Sequence, residues 1–236
     1  FCKLDNLERN NMGIISKQIA FASKYLPTYL NGALTTIELS IIGVILGFTL
    51  GLLLALMKTS KIKLLNILSN IYIEVVRGTP MLVQIMIVYF GLKKIIPEQF
   101  TLLTAPMFLC ALSISLNSAA YVAEIIRSGI ASVDPGQMEA ARSLGLNKKQ
   151  AMAKVIMPQA IKNILPALVN EFITLIKESS ITYTVGVGEL MYAGKTISSG
   201  TYQLVKPFIF VAVIYFIMTF SLSKALGLLE RRLAND

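Results

Sequence analysis

The chain has 236 residues, 55% of them hydrophobic, and a mean hydropathy of +0.67. This composition is too apolar for an ordinary soluble domain and indicates a membrane protein. The net charge of +9 does not indicate nucleic-acid binding, because most of the basic residues flank apolar runs and are better explained by orientation in a membrane. The lack of histidine and the presence of only two cysteines argue against a metal centre and a disulfide framework.

Residues 1–32 are expected to form an N-terminal leader rather than a span. Residues 1–11 are polar, and residues 12–32 alternate apolar and basic positions up to Pro27. That alternation is typical of a helix lying in the membrane interface. A sixth span over residues 12–32 is disfavoured because that stretch carries too many polar and charged residues.

The rest of the chain, residues 33–232, predicts an all-α membrane protein with five transmembrane helices. Each apolar run approaches the ~20 residues that a helix needs to cross a bilayer. In the first run, Gly43, Gly47 and Gly51 share one helix face, which lets another helix approach closely. The expected spans are about 34–57, 66–92, 102–126, 160–177 and 208–229.

Basic residues predict the orientation of these spans. Lys58, Lys61 and Lys63 follow the first span directly, which marks that loop as cytoplasmic and puts the N-terminus outside. Arg231 and Arg232 are expected to stop the fifth span on the inside. Four basic residues in the leader weaken this assignment without reversing it.

Two regions are expected to depart from simple spans. The second span contains a break at Arg77-Gly78-Thr79-Pro80, where freed backbone groups must be satisfied inside protein or by water. Residues 185–206 are expected to form an external loop rich in glycine.

Polar residues within the spans are candidates for a substrate pathway, since polar groups at that depth face other helices or a cavity. Glu171 lies near the middle of the fourth span, and two interpretations stay open: a translocation cavity, or burial beside a basic partner. Glu124 and Arg127, three residues apart, are expected to pair with each other. The pathway candidates are Thr79, Gln84, Asn117, Asn170, Glu171 and Thr174.

The segment of residues 134–158 is too polar for lipid and predicts two short helices joined by a corner. Asp134 is a good N-cap, with Pro135 at the first helical position and Gln137 placed to complete a capping box. Gly145 can end the first helix in a left-handed turn. A second N-cap is expected at Asn147 with Gln150 three residues on, and Pro158 is expected to close the segment.

This segment resembles the EAA loop of permease subunits of bacterial ABC importers. The resemblance rests on Glu139-Ala140-Ala141, then Gly145, then Ile156-Met157-Pro158. It extends over most of residues 31–232, where four stretches resemble the polar amino acid branch of these permeases: NGALTTIELS, EVVRGTPMLVQ, LNSAAYVAEIIRSGI and KESSITYTVGVGEL.

The resemblance implies that the 134–158 segment is a coupling loop that fits a groove on an ATPase subunit. The residues that it assigns to ATPase coupling are Asp134, Pro135, Gln137, Glu139, Ala140, Ala141, Arg142, Gly145, Lys148 and Pro158. It further implies a second permease subunit, identical or not, two ATPase subunits that hold ATP and Mg²⁺, an extracellular solute-binding protein, an amino acid substrate, and a multi-pass location in the bacterial cell membrane.

No glycine-rich phosphate loop, catalytic triad or metal-ligand motif is found in the sequence, so no catalytic residue, bound cofactor or metal is expected in this chain. The function expected is therefore the permease subunit of an ATP-driven importer for polar amino acids. Two alternatives from other classes stay open. One is an ATP-independent secondary transporter or channel, and the other is a membrane scaffold or sensor. A binding domain fused upstream of Phe1 also stays open.

Overall fold

The computed structural model describes residues 2–97 and 99–235, with side chains described for residues 16–97, 99–228 and 230–232. Within those residues every regular element is a helix, as the sequence predicts. The elements are α1 (Cys2–Lys58), α2 (Lys63–Arg77), α3 (Met81–Ile95), α4 (Thr101–Thr104), α5 (Pro106–Ala131), α6 (Pro135–Ser143), α7 (Lys148–Ala151), a π-helical turn (Met152–Ile156), α8 (Met157–Glu178), a 3-10 helix (Ser179–Val185), α9 (Leu190–Thr201) and α10 (Lys206–Asn235).

The leader and the first span are not separate helices, because α1 runs through both and contains Pro27 inside it. The ring of Phe21 stacks on Phe210 of α10, with ring centroids 5.6 Å apart. Tyr29 is buried, and its hydroxyl donates a 3.1 Å hydrogen bond to the carbonyl of Pro207. These contacts hold the first part of α1 in line despite the hydrogen bond that proline removes. Sequence periodicity alone does not reveal this packing against a distant helix.

The central packing is between α1 and α5, along the glycine face that the sequence predicts. A Cβ added to Gly43 would lie 2.6 Å from Ile114, and one added to Gly51 would lie 2.7 Å from Val122. A Cβ added to Gly47 would lie 2.8 Å from the side chain of Ser118. The two helices therefore approach along their backbones, and α5 is the most buried helix described. The close approach predicted for the glycines is confirmed, within one chain.

The predicted second span is two helices, α2 and α3, which meet at a bend of 108° at the Gly78-Thr79-Pro80 break. Three helices of the described chain are long and apolar enough to cross a membrane, or four if this bent pair is one span. They lie at Ser16–Lys58, Pro106–Ala131 and Lys206–Arg232. The predicted fourth span, now part of α8, does not meet that criterion, because its polar side chains lower its hydropathy.

The external loop expected at residues 185–206 is wrong. Most of residues 185–206 is not loop but helix α9, whose N-cap is the carboxylate of Glu189. The glycine at 194 does not loosen this helix; a Cβ there would lie 2.5 Å from Val211, so it lets α9 approach α10. Helix α10 itself continues past Arg231 and Arg232 to Asn235, whereas the apolar stretch long enough to cross a membrane ends at Arg232. Charged residues are good helix formers and stop a membrane span without stopping the helix.

Candidate functional site

The polar segment folds into the two short helices that the sequence predicts. The side chain of Asp134 caps α6 by accepting a 2.7 Å hydrogen bond from the backbone of Gly136. Gly145 has φ of +90°, in the left-handed region that favours glycine. Asn147 and Gln150 form a reciprocal capping box, with both hydrogen bonds at 3.0 Å. We refer to this unit, α6 with α7, as the α6–α7 corner.

The capping box predicted between Asp134 and Gln137 does not form. The side chain of Gln137 instead accepts a 3.3 Å hydrogen bond from Gln159 on α8. Nearby, Asn163 donates a 2.8 Å hydrogen bond to the hydroxyl of Ser132. Gly136 takes the place of Gln137 as the donor to the Asp134 side chain, and the side chain of Gln137 ties the corner to α8. These two bonds attach α6, and the chain just before it, to one long helix.

Pro158 does not close the segment, contrary to the expectation. The helix that begins at Lys148 passes through a π-helical turn into α8, and Pro158 lies in the first turn of α8. At the end of the π-helical turn, the backbone N–H of Met157 donates to the carbonyl of Met152, five residues back. The wider π turn accommodates a proline that would clash with the preceding turn of a regular α-helix. The corner is therefore continuous with α8.

The predicted coupling residues differ in their exposure to solvent. Glu139, Ala140, Arg142 and Lys148 are exposed, whereas Ala141 is buried against the rest of the chain. Sequence reasoning missed Leu144, whose side chain is 86% exposed at the tip of the corner. The sequence feature that could have identified Leu144 is its position, an apolar side chain at a helix end directly before the turn glycine Gly145. The corner thus presents a mixed charged and apolar surface.

Three of the predicted pathway residues form one hydrogen-bonded chain between α3 and α5. The side-chain nitrogen of Gln84 donates to Thr79 Oγ1 at 2.9 Å and to the carbonyl of Val76 at 2.7 Å. Its oxygen accepts a 2.9 Å hydrogen bond from the side chain of Asn117. Asn117 is buried, Gln84 is half-buried and Thr79 is exposed, so these hydrogen bonds run from the interior to the surface at the bend between α2 and α3.

Glu171 is buried and lies on the other side of α5. Its carboxylate accepts a 3.0 Å hydrogen bond from the hydroxyl of Ser118, the residue after Asn117. Among the described residues no basic side chain pairs with Glu171 within 4.0 Å, so the basic partner considered from the sequence is not found there. Sequence reasoning did not select Ser118, although it adjoins a selected residue.

The last two pathway candidates are not brought to this cluster. Asn170 is exposed on α8, and Thr174 is half-buried and donates its hydroxyl to the carbonyl of Asn170 at 3.0 Å. With Asn163 and Lys177 they form a polar stripe along one face of α8. Nothing in the described part of the chain covers Asn170, which leaves this face of α8 open.

An ion cluster joins α1 to the end of α5 that precedes the corner. The predicted pair is confirmed, with Arg127 Nε 2.9 Å from Glu124 Oε1. Lys58, at the end of α1, is a second partner at 3.3 Å that the sequence did not reveal. With Arg77 and Glu74 these residues line a cleft of about 470 Å³.

Comparison with known proteins decides the family. Residues 47–235 match the model of the binding-protein-dependent transport system inner membrane component. The chain belongs to this family. It is therefore a membrane permease component of a bacterial ABC transporter and is located in the inner membrane, which confirms the family that the sequence resembles.

The relatives of this permease match it over nearly its whole length. It is 42% identical over 215 residues to the putative glutamine transport system permease protein GlnP of Rickettsia bellii, covering 91% of this chain and 96% of that protein. It is 39% identical to the arginine transport system permease protein ArtQ of Bacillus subtilis, covering 89% and 94%. A solved amino acid ABC transporter with histidines matches with 47% identity and a TM-score of 0.84, covering 90% of this chain and 97% of that one.

Proposed function

We propose that this permease forms the translocation pathway of an ATP-driven importer for polar amino acids. The observation that carries the proposal is the α6–α7 corner, capped at both helices and exposed on its outer face, in a chain of this transport family. The names of the relatives, which include glutamine and arginine systems, support the amino acid class. ATP and Mg²⁺ belong to a partner ATPase in this proposal.

Coupling would work through the rigidity of the corner. Two ATPase subunits close on binding ATP, and each moves the corner that rests in its groove. Glu139, Ala140 and Arg142 form the seat, and Leu144 adds an apolar contact at the tip. Because the corner continues into α8 through the π turn, its displacement moves α8 directly. ATP drives transport only by favouring one arrangement of the spans over the other.

The pathway that we propose runs along the polar side chains of α5 and α8. Glu171 is its acidic group and suits an amino or guanidinium group of the substrate, while Gln84 and Asn117 hold the bent α2–α3 pair against α5. A carboxylate buried without a basic partner among the described residues is costly in lipid, by roughly 2.5–3.5 kcal/mol on insertion scales. A water-filled or substrate-filled path removes that cost.

A second permease subunit is part of the proposal, because the polar stripe of α8 is left open. Asn170 and Thr174 facing lipid would be unfavourable, whereas a second copy or a sister permease would cover them. In the topology that we propose, five spans place the N-terminus outside and the C-terminus inside. The exposed corner then lies in the cytoplasm, and the solute-binding protein docks on the opposite side.

The test is uptake into proteoliposomes that contain this permease with its ATPase and binding protein. Labelled glutamine, arginine, histidine and cystine would be compared with and without internal ATP. We expect ATP-dependent accumulation of one class of polar amino acid. Uptake that ignores ATP and follows an ion gradient would contradict the proposal and favour the secondary transporter.

A further inference from the structure

A second polar cleft lies at the other end of the α1–α5 pair from the ion cluster. It has a volume of about 390 Å³ and is bounded by Thr35 and Glu38 of α1, by the first turn of α5, and by the chain at residues 186–188. Small-molecule sites start at about 300 Å³, so an amino acid fits this space. Glu38 and Lys58 lie about 30 Å apart along α1, which is the thickness of a bilayer core. The cleft is therefore at the membrane surface opposite Lys58.

Glu38 is the charged group of this cleft, and its charge is uncompensated. Its side chain is exposed, and it makes no hydrogen bond and no ion pair within 4.0 Å to any residue that the structure describes. This contrasts with Glu124 at the opposite end, which has two basic partners. The hydroxyl of the neighbouring Thr35 donates to the carbonyl of Asn31, which leaves its oxygen available to accept a hydrogen bond from a ligand.

The opposite wall of the cleft is bare backbone. Gly186 has φ of +85°, and a Cβ added at Gly186 or Gly188 would meet nothing within 4 Å. The backbone N–H of Gly188 donates to no acceptor in the described chain. The free carboxylate of Glu38 therefore lies on one wall of the cleft, and uncovered main chain with the free N–H of Gly188 lies on the other. An amino acid carries the complementary pair, a cationic nitrogen and a carboxylate.

We propose that this cleft is an entry site for the amino acid, in which Glu38 binds the ammonium or guanidinium group of the substrate. The proposal rests on the importer function proposed above and adds a binding residue outside the polar cluster of α5 and α8. It places a cation-selective step before the substrate reaches Glu171. Because Glu38 is exposed, its contribution is that of a surface ion pair, worth about a threefold to fivefold change in affinity.

The test is equilibrium binding of labelled arginine and labelled glutamine to the intact transporter in lipid nanodiscs, without binding protein. Wild type is compared with Glu38→Gln, which removes the charge, and Glu38→Lys, which reverses it. Glu230→Gln is the matched control, because it removes an exposed carboxylate near the far end of α10. ATP-dependent uptake by the wild type, reconstituted into proteoliposomes with its ATPase and binding protein, is measured in parallel and decides the importer function separately.

We expect Glu38→Gln to raise the Kd about threefold to fivefold and Glu38→Lys to raise it further, with Glu230→Gln unchanged. An effect on arginine alone assigns the contact to the guanidinium, and an equal effect on both ligands assigns it to the ammonium. Unchanged Kd values in both Glu38 variants, or no detectable binding to the wild type, would overturn the entry site.

Discussion

Ser118 of α5 donates a 3.0 Å hydrogen bond to the carboxylate of Glu171 of α8, and the residue before it, Asn117, bonds to Gln84 of α3. Two consecutive residues of the most buried helix thus hold polar partners on two different helices. Any relative movement of α3 and α8 must break or stretch one of these bonds. The hydrogen bonds of Asn117 and Ser118 are therefore expected to change when the spans rearrange.

Replacing Glu171 with Gln is expected to lower uptake about tenfold while the protein stays folded. The amide oxygen still accepts from Ser118, but the negative charge that suits a cationic substrate group is lost, and tenfold corresponds to about 1.4 kcal/mol. The measurement is initial uptake rate in proteoliposomes at saturating loaded binding protein. Ser221→Ala is the control, since this hydroxyl only bonds within exposed α10. Wild-type rates in Glu171→Gln would remove Glu171 from the pathway.

Replacing Gly145 with Val is expected to uncouple ATP hydrolysis from transport. Gly145 has φ of +90° with nothing within 4 Å, so the obstacle to a side chain is backbone strain, not space. Strain in this region costs about 1–2 kcal/mol, more for a β-branched residue, and would displace α6 from α7. The measurement is the ratio of substrate transported to ATP hydrolysed.

Gly145→Asn supplies the matched control, because asparagine tolerates the left-handed region better than other residues do. It should retain much of the coupling ratio. If Gly145→Val transports with an unchanged ratio, the corner is not the coupling element that we propose.

Replacing Gly51 with Ala is expected to destabilise the protein by about 1–3 kcal/mol, the usual range for overpacking. The new Cβ would lie 2.7 Å from Val122 and 2.8 Å from the carbonyl of Ala119, and backbone cannot move aside as a flexible side chain does. Gly91→Ala is the control, because nothing lies within 4 Å of its Cβ position. Heated samples followed by size-exclusion chromatography give the comparison. Equal stability of the two variants would mean that the seam of α1 and α5 is not tightly packed.

Local chemistry in the sequence was enough to predict the α6–α7 corner, since the caps at Asp134 and Asn147 and the turn at Gly145 depend on neighbouring residues only. The close packing on the glycine face of α1 could also be predicted, because glycines four residues apart on one helix face allow another helix to approach. Contacts across long sequence distances could not be read: Lys58 with Glu124, or Phe21 with Phe210. These contacts determine which distant side chains meet.

Helix α9 was missed for a related reason. Two glycines just before it, at 186 and 188, and two inside it, at 194 and 200, are typical of a loop. Its N-cap is Glu189, which is a less frequent capping residue than Ser, Thr, Asp or Asn. What makes Glu189 effective is tertiary: Tyr215 of α10 donates to the same carboxylate at 2.8 Å. Asn170 and Thr174 were grouped with Glu171 by proximity in sequence, yet the helix turns them to a different face.

Glu189 gives the permease a pH dependence with a definite sign. Burial raises the pKa of Glu189 from 4.5 to about 7, although hydrogen bonds from Met191, Tyr215 and Tyr192 favour the carboxylate. Between pH 4.5 and 7 the folded protein therefore holds a proton that the unfolded chain has lost. Stability from this group is present at low pH and falls as pH rises through that window, by about 3 kcal/mol in all.

Replacing Glu189 with Gln removes the titrating group, so the melting temperature should fall less between pH 5 and pH 8 than it does in the wild type. The absolute stability of this variant is expected to be lower, because one cap acceptor is replaced by a donor, and the slope is therefore the quantity to compare. Tyr215→Phe keeps the carboxylate and should keep the slope. Parallel pH profiles for wild type and Glu189→Gln would mean that Glu189 keeps the same charge across this range, ionised by the N–H groups of α9.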